Sequence, residues 1–239
     1  MTVALSTLKT AIFGSDGSQG IIQDSSYYSE ATTRINTAMS VIAGGIRMPD
    51  GQLSPPLPDL YDMDTVSTST SLPYVSLPAD YQRNVFMVVD SSGNELYPPT
   101  GGDHYSFALF LKQAIHKGLE QSGSISRVCV KGTNLYYQGI PSSSATLTVH
   151  FYRKPTDMSE VTDTVDGLPD HLAPRLIQHY VAKEIYGDIE DGDNSQGTGF
   201  KYHTARFYEA MRDLLDYVGV DGVPQYYGSS QFVDLGVCD

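Results

Sequence analysis

Asp188, Glu190, Asp191 and Asp193 crowd one short segment between Gly187 and Gly199, and clustered carboxylates are the ligand set of a hard cation such as calcium. The spacing does not suit one. A calcium loop of EF-hand type starting at Asp188 needs glycine at 193 and a bidentate glutamate at 199, where the chain has Asp193 and Gly199. The four acids therefore read as a solvated loop. Paired carboxylates also hydrolyse glycosides when an apolar pocket raises the pKa of one of them, but a chain without tryptophan has little to line that pocket or stack a sugar. His104, His116, His150, His171, His179 and His203 never fall into an H-E-x-x-H or paired-cysteine spacing, so each reads as an ordinary surface or interface residue. There is no G-x-S-x-G elbow for a nucleophilic serine. The glycine-dense run Gly14 to Gly20 lacks both the lysine and the preceding strand of a phosphate loop and reads as a turn. Cys129 and Cys238 make neither a disulfide framework nor a metal spacing, and are expected to be free thiols in a reducing cytosol. No catalytic residue, metal or cofactor is expected; the chain is not read as an enzyme.

Two helices must position the acidic segment. Leu172, Leu176, Ile177, Tyr180, Val181 and Ile185 recur at spacings of three and four, and Thr204, Phe207, Met211, Leu214, Leu215 and Val218 repeat the pattern beyond Phe200. Leu168–Val218 is thus an antiparallel helix pair closed by the acidic loop. Pro169 and Pro174 suit a first turn, so either Asp170 caps the first helix or the helix starts at Ala173. At the other end of the chain, Thr2–Phe13 and Ser25–Arg47 carry helical spacing, the latter through Tyr28, Ala31, Ile35, Ala38, Met39 and Ile42, ended by Gly44 and Gly45.

Between these pairs the texture changes. Pro49, Pro55, Pro56 and Pro58 forbid both helix and central strand and mark a linker. Short Val-, Thr-, Tyr- and Phe-rich runs then predict strands at Thr65–Ser71, Asn84–Asp90, Glu95–Tyr97, Ile125–Lys131, Leu135–Gln138 and Ala145–Arg153. In the last, Leu147, Val149 and Phe151 alternate with Thr148, His150 and Tyr152, the period of a sheet with one buried face. His104–Gln121, through Phe107, Leu111, Ile115 and Leu119, fits a helix better. The fold class expected is α+β: a helical bundle built from N-terminal helices (1–48) and the C-terminal pair (168–218). It carries a proline-rich linker and an inserted antiparallel β-rich domain (49–167), and ends in an extended C-terminal arm (219–239). No period survives in the arm, yet Tyr226, Tyr227, Phe232, Val233 and Leu235 are too apolar for an idle tail, and addition as a strand to a neighbour explains both facts.

The net charge of −13 is uneven. Residues 1–156 hold 12 acidic and 10 basic side chains, residues 157–239 hold 16 and 5, so nearly all the excess sits at the helical end and disfavours sequence-specific binding to a phosphate backbone. The start of the chain lacks the basic flank and apolar stretch of a signal peptide, and the longest apolar runs are too short to span a bilayer, so a soluble product without a membrane partner is expected. Seventeen tyrosines against no tryptophan suggest subunit contacts, because tyrosine is large and rigid with a polar tip.

Several stretches, in this order, resemble tailed-bacteriophage head-to-tail adaptor (connector) proteins. They are Leu77-Pro-Ala-Asp-Tyr81, the strand Thr146–Tyr152 running into Arg153-Lys-Pro155 with Met158 and Ser159, Leu168-Pro169, the helix through Leu176, Tyr180, Ala182 and Tyr186, the Glu190–Asp193 loop, and the helix from Phe200 to Leu215. The similarity covers Leu77–Val218; the proline linker, the helix-like insert and the tail after Gly219 depart from it. The resemblance implies a structural protein of the virion neck, made in the host cytoplasm. It implies a twelve-fold ring under the portal protein that extends the channel for passing genomic DNA and gives the tail nozzle or tube protein its platform. On that reading Asp188, Glu190, Asp191 and Asp193 line the channel, and Tyr226, Tyr227, Phe232, Val233 and Leu235 dock on the portal or a neighbouring subunit. The alternatives are a β-rich module recognising host glycans, which requires an aromatic platform on the insertion, and a peptidoglycan-cleaving connector.

Overall fold

The structure, a computed structural model, describes residues 2–15, 17, 20–96, 107, 110, 111, 121–190 and 198–219. Helix and antiparallel sheet are segregated along the chain, whose described residues divide into two compact units: one made of those through Leu60 together with those from Lys154 to Gly219, the other of those within Tyr61–Arg153.

The first unit is helical. Its elements are α1 (Leu5–Phe13), α2 (Ala31–Gly44), α3 (Ala173–Glu190) and α4 (Thr198–Val218). α3 packs against each of the other three, and α1 also touches α2. The apolar stripes explain this. Leu5, Leu8, Ile12 and Phe13 of α1, with Ile35, Ala38, Met39 and Ile42 of α2, bury one face each, while α3 buries Leu176, Ile177, Tyr180, Val181, Ala182 and Ile185 over a wider arc. A helix that wide in its apolar face needs partners on more than one side.

Helix ends follow local chemistry. α3 begins at Ala173, the later of the two starts allowed by the sequence, because Pro169 has already turned the chain: its carbonyl accepts from both Leu172 N and Ala173 N at 2.9 Å. The segment Ser25–Glu30, expected as the first part of α2, is a 3-10 helix capped by Asp24, whose side chain accepts from Ser26 N at 2.9 Å; Tyr28 is exposed there rather than part of the α2 stripe. In the Gly14–Gly20 turn, Ile22 N donates to Ile12 O, and a Cβ on Gly20 would lie 2.3 Å from that carbonyl, so the position admits only glycine. Part of the proline linker is itself structured: Arg47 and Leu53 form an antiparallel bridge, and Ser54 bonds Ile46 with both its amide and its hydroxyl at 2.8 Å. The chain returning after Arg153 is stitched down by Asn36 of α2, whose amide donates to Met158 O and accepts from Met158 N.

Among the described residues the second unit holds two three-stranded antiparallel sheets. Their strands are β1 (Tyr61–Ser67), β2 (Tyr74–Ser76), β3 (Tyr81–Asp90), β4 (Arg127–Lys131), β5 (Asn134–Gln138) and β6 (Thr146–Arg153), in the orders β1-β6-β3 and β2-β5-β4. One core joins the sheets: Val66, Val88, Leu147, Val149 and Phe151 from the first pack with Val128, Leu135 and Tyr137 from the second. The alternation expected in β6 holds, with Leu147, Val149 and Phe151 inward. β2 was not expected; it has three residues, follows Pro73 and lacks a period long enough to read. Glu95 forms a single bridge to Val89 instead of a strand, and Tyr97 lies outside the described residues. In the range expected as a helix, 104–121, the described residues Phe107, Phe110 and Leu111 have helical backbone and Gln121 does not.

Candidate functional site

The α3–α4 hairpin carries the described members of the acidic cluster. Asp188, near the end of α3, accepts from Arg34 Nη2 of α2 at 2.9 Å, and Arg34 also holds Glu30. Desolvation by partial burial lowers the Arg34 pKa and its two carboxylates outweigh it, leaving the guanidinium above its ordinary value. Glu190 reaches across the loop: its two carboxylate oxygens accept from Gly199 N and Phe200 N, each at 3.1 Å. Those amides belong to the first turn of α4, where they have no intrahelical partner and where the helix dipole favours a negative charge. Glu190 is thus the N-terminal cap of the next helix. Gly199 lets the hairpin close, since a Cβ there would meet the Tyr186 ring at 2.6 Å. Asp191 and Asp193, like the arm residues Tyr226, Tyr227, Phe232, Val233 and Leu235, lie outside the described residues.

The seam between the same two helices brings together histidines that sequence spacing did not. His179 Nδ1 and His203 Nδ1 are 3.0 Å apart, one donating and the other accepting. His203 is only 6% exposed, stacks on Tyr186 with ring centroids 5.2 Å apart and meets Tyr202 edge-on. Burial depresses the basicity of both rings; His179, with His203, Arg175 and Arg206 also nearby, is lowered to about 4. A signal was present in the sequence: His203 lies four residues before Phe207, in the stripe that continues through Ala210 and Leu214. Thr204 occupied that place in the expectation and is only half-buried.

On the β unit, the outer face of the β1-β6-β3 sheet is aromatic. Tyr61 stacks on His150 and donates to or accepts from its Nδ1 at 2.8 Å, while Phe86 contacts Tyr61, His150 and Tyr152 with centroids 5.6–6.1 Å apart. Met63 beside them is 60% exposed. A shallow hollow of about 410 Å³ elsewhere on this unit is lined by Asp90, Ser91, Ser124, Ser142 and Ser143 among others. Its one carboxylate is already engaged, with Asp90 accepting from Ser92 N, Asn94 N and the Asn94 side chain. Among the described residues no group of three or more metal-ligating side chains converges, and no helix is long and apolar enough to cross a membrane.

No curated protein matches the chain. The SU10 adaptor protein family matches it over residues 19–228, a range that takes in α2, the whole β unit, both helices of the hairpin and the start of the arm. The chain therefore belongs to the SU10 adaptor protein family, a family of phage head-to-tail adaptors.

Proposed function

We propose that the protein is a non-catalytic structural component of the virion neck. In this reading it forms a ring, with twelve copies expected, beneath the portal, extends the DNA channel and offers the tail nozzle or tube its attachment platform. The observation that carries the reading is the breadth of the family match, which spans helical and β units alike. The helices of the first unit then act as one bundle in the ring wall and the β unit faces other neck or tail components. The arm residues Tyr226, Tyr227, Phe232, Val233 and Leu235 anchor on the portal or a neighbouring subunit. Asp188, Glu190, Asp191 and Asp193 give the channel a negative lining, where like charge keeps DNA from adhering as it passes. Asp188 and Glu190 also hold Arg34 and the start of α4, so their charge reversal would disturb the hairpin as well as any lining.

The test is sedimentation of the purified chain with the portal protein encoded beside it, using full-length protein and a truncation ending at Val218. Co-sedimentation that requires the arm is the expected result; no binding by either form would overturn the reading. The aromatic outer face around Tyr61, Phe86 and Tyr152 favours one competing reading, recognition of host glycans, since sugars stack on aromatic rings. Retention on a glycan array that is lost in a Tyr61→Ala, Tyr152→Ala double variant would support that reading.

A further inference from the structure

The seam of the hairpin holds two imidazoles in a single Nδ1 to Nδ1 hydrogen bond of 3.0 Å, and such a bond has room for one proton. With both rings neutral, one carries its proton on Nδ1 and donates it while the other accepts. A second proton on the donor ring leaves the bond in place. Only when the acceptor ring is protonated as well is the bond abolished, with two cations set against each other. The two carboxylates nearby offer only partial relief. From α3 the pair faces Arg175, and Glu190 lies toward His203; from α4 it faces Tyr202, Arg206 and Glu209. Glu209 is already shared between Arg206 at 2.8 Å and Arg175 at 3.2 Å, and Arg175 also holds Asp213. Both oxygens of Glu190 are occupied by the first amides of α4. Tyr186, which covers the His203 ring, is tied by its hydroxyl to Ile21 O at 3.0 Å.

We infer that the His179–His203 pair is a proton-sensitive latch on the α3–α4 hairpin, closed while the two rings share one Nδ1 proton and released when both are charged. The direction in pH follows from linkage. Burial first, then the neighbouring His203, Arg175 and Arg206, hold the His179 ring at about 4 against 6.5 in the unfolded chain, and His203 shifts the same way. Between those values the opened state binds more protons than the closed one, so hairpin stability is complete above pH 6.5 and declines as the pH falls toward 4. The latch stands on the geometry of this seam and does not depend on the adaptor reading.

The experiment is amide hydrogen exchange on the full chain at pH 7.5 and 4.8, corrected for intrinsic exchange, comparing the parent with His179→Asn. Asparagine keeps a hydrogen-bonding atom near the Nδ1 position and cannot titrate. In the parent, protection of α3 and α4 should drop by more than tenfold on acidification, as proton linkage at His179 between 6.5 and about 4 requires, while α1 and α2 drop less. In the variant, where His203 alone still titrates, the hairpin should lose clearly less protection than in the parent. Equal acid sensitivity in parent and variant would overturn the latch. If His179→Asn does not fold, imidazole NMR of the parent decides: two rings titrating near the ordinary histidine value would overturn it, and rings that stay neutral until the hairpin amides lose protection would support it.

Discussion

Tyr137 shows how much one atom can organise. The ring is wholly buried in the β core, and its hydroxyl accepts from Ser69 N and donates to Leu72 O, both at 2.8 Å, pinning the turn that leads into β2. Burial pushes the phenol above its ordinary pKa, so it stays a neutral donor. Tyr137→Phe leaves the ring and strands two backbone groups, which should cost about 1–3 kcal/mol, read as a lower urea midpoint with an unchanged slope. Cys129 offers a second check. Burial raises its thiol to about 11, so at pH 8 it should resist alkylation in the native protein and react on unfolding, as followed by peptide mass spectrometry. At this scale the sequence was legible only where a residue acts alone. It showed that the acidic loop lacks calcium spacing. It did not show that Glu190 caps a helix beginning beyond the loop, nor that Asp188 meets Arg34, 154 positions away, because such partners are chosen by packing.

Elements were more legible than their ends. The three-and-four spacing located α3 and α4, and the alternation in β6 named its inward residues, since a long amphipathic period survives local noise. Ser25–Glu30 and β2 were missed or misassigned because six and three residues are too few to display a period. The hairpin yields a prediction of its own. Glu190→Ala removes the acceptor of two first-turn amides and should cost about 1 kcal/mol, whereas Gly199→Ala drives a methyl into the Tyr186 ring and should cost more, by thermal melting.

Strand β1 yields another. Thr68 donates to Ala145, and bonded pairs alternate in an antiparallel ladder, so the amides of Met63 and Thr65 point away from β6 toward the open edge. Each is occupied by the preceding carboxylate: Asp62 Oδ1 accepts from Met63 N at 2.8 Å and Asp64 Oδ1 from Thr65 N at 2.6 Å. Occupied, charged edges resist pairing with another chain. An Asp62→Ala, Asp64→Ala variant should therefore self-associate at lower concentration than the parent in sedimentation velocity. Unchanged association would mean that the edge is protected by something else.

At the scale of the whole molecule, the segregation of helix and sheet along the chain was legible because composition changes abruptly at the prolines, and the family match confirms the adaptor resemblance. No contact surface for a partner was legible, since residues that make an interface carry no period and the apolar stretch after Gly219 lies beyond the described chain. The insertion of one unit into the other has a consequence for how such chains diversify. Tyr61, the first residue of β1, is the ladder partner of Tyr152, so the places where the chain joins the β unit and leaves it sit side by side, about 4.5–5.5 Å apart at their Cα atoms. A unit whose two ends meet is a cassette: it can be lengthened, exchanged for another or excised with a bridge of about two to five residues without pulling the helices out of register. A chain with a different middle portion would then keep the same two points of attachment, free to change what that portion presents while the sequence of the helices stays the same.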